Sequence, residues 1–129
     1  MNWTRALLAG AIGGVVLWLV DYVLHGVLMG GTYMKYPEVF SQEQGSILSF
    51  LLIEVCLGIG AALLFTRTRD SWAPGWTGGA NFGFFLGLFA FWLSFFDPLV
   101  IDGFPYYMAW CHGGMAMIGA IVLGSVLGL

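Results

Sequence analysis

Asp21 and His25 stand four residues apart in the stretch DYVLHG, which interrupts a long apolar run. On a helix, residues four apart lie side by side, so this carboxylate and imidazole would form a hydrogen-bonded pair or two ligands of one metal ion. Glu54 and His112 are equally isolated in later apolar runs, and Asp97 ends another. Carboxylate and imidazole ligands suit zinc, manganese or iron. Ionisable groups inside apolar helices also mark ion paths and proton relays.

The segments that position these residues are too apolar for a water-soluble domain. Of the 129 residues, 60% are hydrophobic and 9% are charged, whereas soluble domains carry roughly a quarter of charged residues. Four runs, at about 6–29, 47–65, 78–96 and 107–129, have the length of about 20 apolar residues that a helix needs to cross a bilayer. We therefore predict one all-α integral membrane domain over residues 1–129, a compact antiparallel bundle of four transmembrane helices. The alternating polarity of a β-barrel is absent from the sequence.

The few basic residues predict the orientation of this bundle. Arg5 precedes the first run, and Arg67 and Arg69 lie between the second and the third. These ends should be cytoplasmic, because positive charge is retained on that side. The opposite loops carry Lys35 and four acidic residues, which are Glu38, Glu43, Asp97 and Asp102. Both termini are thus predicted to be cytoplasmic, and we expect the first run to stay as an anchor, because it is longer than the apolar part of a cleaved signal.

Small residues mark the faces on which the predicted helices should meet. Glycine lets membrane helices approach closely. The glycines that we predict to pack helices are Gly10, Gly14, Gly58, Gly79, Gly83, Gly87, Gly124 and Gly128. At about 100° per residue, Asp21, His25, Glu54 and His112 each fall on the face of their own helix that carries small residues. Each polar side chain should therefore point toward a neighbouring helix.

The depths of the polar side chains also match. Counted from the predicted outer ends, they lie about four to eight residues inside the apolar runs, or on the order of 6 to 12 Å. Asp21, His25, Glu54 and His112 should therefore converge in the outer half of the bundle, with Asp97 at the rim. Tyrosines and tryptophans flank the runs, Tyr33 among them, and are interpreted as interfacial aromatic belts without a functional role.

The main functional hypothesis is an outward-facing polar pocket. It would bind or conduct a cation, either a proton or a divalent metal held by Asp21, His25, Glu54 and His112. A chain this short would assemble as a homo-oligomer to frame a pathway. The structural alternative is that Asp21 and His25 satisfy each other as polar contacts between helices, while a protonated Glu54 and His112 bond locally.

Two further classes of function are compatible with the sequence. The chain could be a non-catalytic accessory subunit of a larger membrane complex. It could also be a membrane redox protein, with metal or with haem b between His25 and His112. Haem is disfavoured, because no arginine lies on that side to bind its propionates. No nucleotide-binding loop, nucleophile triad, nucleic-acid patch or disulfide pattern is present in the sequence, so we expect neither a familiar enzyme nor a nucleic-acid partner.

Two segments carry a resemblance to known proteins. RALLAGAIGGVVLWLVDYVLHGVLMG and APGWTGGANFGFFLGL, together with the four-run layout, resemble a group of small bacterial four-span membrane proteins of unknown function. The resemblance covers most of the chain. It implies a four-span fold and a bacterial source, and hence the inner membrane, but it implies no activity and no functional residue.

Overall fold

Helices make up nearly all of the regular structure of this protein. The computed structural model describes residues 2–40 and 47–129, and no strand occurs within these two ranges. Glu43, which the sequence analysis assigns to an acidic loop, lies outside them. Four helical segments of the described chain are long and apolar enough to cross a membrane, namely Trp3–Leu28, Ile47–Arg67, Trp76–Val100 and Tyr106–Gly128. The prediction of an all-helical chain with four candidate spans is therefore confirmed, with boundaries shifted by a few residues.

The first segment changes its helical geometry at the DYVLHG stretch. Helix α1 covers Trp3–Asp21, and its first turn is capped by the Asn2 side chain, which accepts a hydrogen bond from the Arg5 backbone N–H at 3.1 Å. The chain then continues as a π-helix over Tyr22–Leu28. Hydrogen bonds between residues five apart widen this turn. In such a turn, residues four apart still lie on one side of the helix, as they do in an α-helix, so Asp21 and His25 stay neighbours along it.

Shorter helices flank the remaining three long ones. Helix α2 is a single turn at Gly30–Tyr33, and α3 covers Ile47–Arg67. Helix α4 covers Trp76–Leu93, and the short α5 covers Asp97–Val100. Helix α6 covers Tyr106–Gly128. Gly75, directly before α4, has a φ of 85°, a left-handed conformation that glycine adopts without steric cost.

The long helices form two antiparallel hairpins. Helix α1 packs on α3, helix α4 packs on α6, and α1 and α6 join the two pairs. The predicted packing glycines all lie at the contacts within these two hairpins: Gly10, Gly14, Gly58, Gly79, Gly83, Gly87, Gly124 and Gly128. A Cβ atom added to Gly14 would come 2.5 Å from the Cα of Val55, and one added to Gly83 would come 2.8 Å from the Cα of Ile121. The backbones therefore meet directly, as small residues permit.

The buried core lies toward the end of the bundle where α1 begins. It contains Leu17, Ala61, Phe65, Phe82 and Leu123. The rings of Phe65 and Phe82 meet with their centroids 5.1 Å apart, in an edge-to-face arrangement that aromatic rings favour. Most other large apolar side chains point outward. The opposite end, which carries α2 and α5, holds His25, Tyr33 and His112.

Candidate functional site

A hydrogen-bonded chain of three side chains joins the two hairpins at the α2 end. His25 comes from the π-helical turn, Tyr33 from α2 and His112 from α6. The Tyr33 hydroxyl lies 2.6 Å from Nδ1 of His25 and 2.9 Å from Nε2 of His112. The Tyr33 and His25 rings are nearly parallel, at 7°, and the two imidazole centroids are 5.5 Å apart. One hydroxyl therefore bridges both histidines of the protein.

Two proton patterns use the Tyr33 hydroxyl as a bridge between the histidines. A tyrosine hydroxyl has one proton to donate and an oxygen that accepts. In each pattern it donates to one imidazole nitrogen and accepts an N–H from the other. Either direction satisfies both hydrogen bonds, so the chain from His25 through Tyr33 to His112 can reverse without losing a contact.

The break after the π-helical turn brings Tyr33 to His25. In a continuous α-helix, residues eight apart would be separated by about 12 Å along the axis. Here the Met29 N–H bonds to the Leu24 carbonyl at 3.1 Å, and the Tyr33 N–H bonds to the Met29 carbonyl at 3.0 Å. The wide turn is thus followed by a new turn of helix that presents the Tyr33 ring to His25.

Aromatic rings surround the His112 end of this chain. The Phe40 ring centroid lies 6.2 Å from that of His112, and the Phe104 centroid lies 5.9 Å from it. Phe40 also packs on Tyr33, with centroids 4.7 Å apart. The sequence predicts a pocket open toward the outside, and it does not predict that these two rings pack against His112. His25, Tyr33 and His112 are all half-buried.

A pair of carboxyl groups lies beside the bridged histidines. Asp21 of α1 and Glu54 of α3 are within reach of a shared proton. Oδ1 of Asp21 also faces α6, since a Cβ atom added to Gly119 would lie 3.5 Å from it. Oε2 of Glu54 is buried and has no hydrogen-bond partner among the described residues. Carboxylates only accept hydrogen bonds, so one proton held between the two groups would supply the missing donor.

The predicted site residues therefore form two groups in one neighbourhood. The charge of Asp21 acts on His25, and the charge of Asp97 acts on His112. Asp97 is thus within electrostatic reach of His112, whereas its place at the rim of a pocket stays a prediction. Nδ1 of His25 bonds to the Tyr33 hydroxyl, and no hydrogen bond joins Asp21 to His25 among the described side chains.

The geometry gives no support to a metal or haem site. Within residues 2–40 and 47–129, no three His, Cys, Asp or Glu side chains form a group that could hold a metal ion. The four predicted ligands are divided instead into the Asp21–Glu54 pair and the two bridged histidines. For haem, the Tyr33 hydroxyl already occupies the place between the two imidazole nitrogens where an iron atom would lie.

Tyr33 keeps its proton over the ordinary pH range. Burial, followed by the neighbouring Cys111 and Asp21, raises the pKa of Tyr33 from 10.0 to about 12. A phenol that stays neutral can donate and accept at the same time, which a phenolate cannot. Tyr33 is therefore suited to pass a proton on rather than to hold a charge.

Sequence reasoning missed Tyr33, which it assigned to an interfacial belt. The available signal was weak: Gly30 and Gly31 interrupt the apolar run just before Tyr33, which allows the chain to leave the first helix. That pattern does not predict that the Tyr33 hydroxyl bonds to His25.

Comparison of the chain with protein-family models, with curated proteins and with solved structures finds no match, so the geometry of these residues is the basis for assigning a function.

Proposed function

We propose that this chain is a four-span inner-membrane protein, with both termini cytoplasmic, that binds protons in its outer half and conducts them. The observation that carries the proposal is the Tyr33 hydroxyl, which bonds to His25 and His112 at once. Half-buried imidazoles at hydrogen-bond distance from one neutral phenol are the parts of a proton relay. The absence of a three-ligand group from the described residues favours the proton over a divalent metal.

The distribution of charge supports the orientation. Arg5, Arg67 and Arg69 lie at the end where α1 begins, whereas Asp97 and Asp102 lie at the α2 end. Positive charge is retained on the cytoplasmic side of membrane proteins. The polar cluster at the α2 end then faces the outside of the cell.

The transfer step needs no group beyond the three side chains. A protonated His25 releases its Nδ1 proton to the Tyr33 oxygen, while the Tyr33 hydroxyl proton moves to Nε2 of His112. One proton has then passed from His25 to His112, and Tyr33 is neutral before and after the step. The raised pKa of Tyr33 supports this role, because a phenol that stays neutral keeps the proton that the transfer step needs.

The carboxyl pair extends this path toward the middle of the bundle. Asp21 acts electrostatically on His25 and is within reach of a proton shared with Glu54. A proton delivered to this pair would satisfy the buried Oε2 of Glu54. We therefore assign Asp21 and Glu54 as the proton store behind the histidine relay.

The inner half of a single chain offers no further charged group. Residues 6–20, 55–66 and 113–129 contain no Asp, Glu, Lys, Arg or His. The helices there are also closed by direct backbone contacts, such as Gly10 against Ile59. Passage through the whole membrane would need a route between copies, so the proposal includes a homo-oligomer.

Proton flux into liposomes tests the proposal directly. The protein is reconstituted with a trapped pH-sensitive dye, and a potassium gradient with valinomycin drives proton entry. We expect wild-type flux well above that of protein-free liposomes, and a loss of roughly tenfold or more in Tyr33→Phe, since general proton-transfer groups contribute about 10²-fold or more. Tyr36→Phe is the matched control, because it removes a hydroxyl three positions away that bonds to Tyr107 instead.

Two results would contradict the proposal. Wild-type flux no greater than that of empty liposomes would exclude conduction. Equal flux in Tyr33→Phe and Tyr36→Phe would exclude the relay. Co-purification of the protein in constant ratio with other membrane subunits, together with an absence of flux, would favour the accessory-subunit alternative.

A further inference from the structure

A second polar feature lies at the opposite end of the bundle from the histidines. There, a partly open cavity of about 290 Å³ lies between the start of α1, the end of α3 and the end of α6. The residues that decide its chemistry are Asn2, Arg5, Phe65, Thr66, Arg69 and Leu127. This cavity takes no part in the proposed proton relay.

The cavity concentrates positive charge in a chain that is otherwise acidic. The chain has a formal net charge of −3 and only four Lys and Arg residues. Two of these four, Arg5 and Arg69, line the cavity, and none of the described Asp or Glu side chains does. A cavity with this lining attracts an anion.

The two arginines are available to a ligand. Nη1 of Arg69 donates to the Trp72 carbonyl at 3.1 Å, and its guanidinium lies 5.4 Å from the centre of the Phe65 ring. These contacts hold the planar group in place and leave its other N–H groups free, since a guanidinium has five donors. Within residues 2–40 and 47–129, the Arg5 guanidinium forms neither a hydrogen bond nor an ion pair.

The rest of the lining adds polar and apolar contacts. The start of α1 beside Asn2 favours an anion, whereas the ends of α3 and α6 carry partial negative charge, so the two guanidinium groups supply the net attraction. Phe65 and Leu127 contribute apolar surface, and Phe65 is only 6% exposed. A ligand with a phosphate group next to a hydrocarbon part would use both kinds of surface. Arginine is the residue best matched to phosphate, because its fork binds two oxygens at once.

We propose that this cavity binds a phosphate group at the cytoplasmic surface of the membrane. Two sources carry this chemistry, the headgroup of an anionic phospholipid and free inorganic phosphate. Basic pockets between helix ends on this side are suited to lipid headgroups. The site would tie the ends of α1, α3 and α6 together through one bound anion.

Thermal unfolding of the purified full-length protein in a nonionic detergent tests the site. The probes are dioleoylphosphatidylglycerol, dioleoylphosphatidylcholine as the zwitterionic comparison, and inorganic phosphate. We expect phosphatidylglycerol to raise the unfolding temperature, with phosphatidylcholine having little effect. In Arg5→Gln and in Arg69→Gln, the half-saturating concentration should rise roughly tenfold. Arg67→Gln is the matched control for Arg69→Gln. It also removes one positive charge near the end of α3, but Arg67 does not line the cavity.

The outcomes separate the two sources and the alternative of non-specific attraction. Stabilisation by inorganic phosphate that is weakened in Arg5→Gln assigns a free phosphate, and stabilisation by phosphatidylglycerol alone assigns a lipid. If Arg67→Gln weakens the response as much as Arg5→Gln, or if neither Arg5→Gln nor Arg69→Gln weakens it, the proposal is overturned. Arg5→Gln keeps the test decisive should Arg69→Gln fail to fold, because the Arg5 guanidinium makes no described contact that folding would lose.

Discussion

The hydroxyl of Tyr33 lies 2.9 Å from Nε2 of His112, although 79 positions separate the two residues in the chain. The contact fastens α2, a helix of only four residues, to the last long helix. Because His25 bonds to the same hydroxyl, one side chain connects both hairpins at this end. The relay is therefore a tertiary feature, and its parts can be removed one at a time.

Removal of the Tyr33 hydroxyl should destabilise the protein. Tyr33→Phe leaves one nitrogen of each histidine without its partner in a half-buried setting, so we expect the free energy of unfolding to fall by about 1 to 3 kcal/mol. Tyr36→Phe breaks a more exposed bond to Tyr107, of 3.1 Å, and should cost less than about 1 kcal/mol. Denaturant unfolding in detergent, followed by circular dichroism, measures both. Equal losses in the two variants would contradict the bridging role.

Ionisation of Tyr33 should occur near pH 12. Its pKa is raised from 10.0 to about 12 in the folded chain, chiefly by burial. The protonated phenol therefore contributes stability that is complete below pH 10 and is lost as the pH rises from 10 to about 12. Subtracting the phenolate absorbance titration of Tyr33→Phe from that of the wild type should leave one group with a midpoint near 12. A midpoint near 10 would mean that Tyr33 is open to water.

The two carboxyl groups should tolerate an amide better than an apolar side chain. Glu54→Gln supplies an N–H donor to Asp21 and so replaces the proposed shared proton. We expect it to lower the free energy of unfolding by less than about 1 kcal/mol, whereas Glu54→Leu should cost about 1 to 3 kcal/mol, because Asp21 then loses its partner. Comparing the two variants by thermal unfolding checks this. If glutamine is as costly as leucine, the two carboxyls do not share a proton.

The helix contacts should distinguish two glycines of α3. A Cβ atom added to Gly58 would come 2.5 Å from the Gly14 backbone nitrogen, whereas nothing lies within 4 Å of one added to Gly60. We therefore expect Gly58→Ala to destabilise the fold by about 1 to 3 kcal/mol. Gly60→Ala should be neutral or stabilising by up to about 1 kcal/mol, since alanine favours helix. Similar values for both variants, from unfolding in detergent, would show that α1 and α3 do not pack as described.

Sequence reasoning succeeded where it depended on composition and spacing. Long apolar runs identify the four long helices, because a helix needs about 20 apolar residues to cross a bilayer and few other segments have so many in a row. Glycines such as Gly14 and Gly83 identify the faces that meet, because only small residues allow backbones to touch. The same faces, with their similar depth, are the basis for predicting that Asp21 lies near Glu54.

The parts that could not be predicted depend on hydrogen-bond geometry. The residues of the π-helical turn, YVLHGVL, are compatible with an ordinary α-helix, so periodicity places His25 beside Asp21. Tyr33 bonds to His25 where the π-helix ends at Leu28 and a new helical turn begins at Gly30, and hydropathy carries no information on that break. A tyrosine near the end of an apolar run is typical of an interfacial belt, so its role appears only in three dimensions.

Nitrogen-15 NMR of the histidines in lipid bilayers tests the central claim most directly. The chain contains two histidines, so a single His112→Gln variant assigns both sets of signals. We predict that Tyr33→Phe shifts the Nδ1 resonance of His25 and the Nε2 resonance of His112 together, while Tyr36→Phe leaves both in place. If the signals of either histidine are unchanged when the Tyr33 hydroxyl is removed, that hydroxyl does not connect them and the relay does not exist.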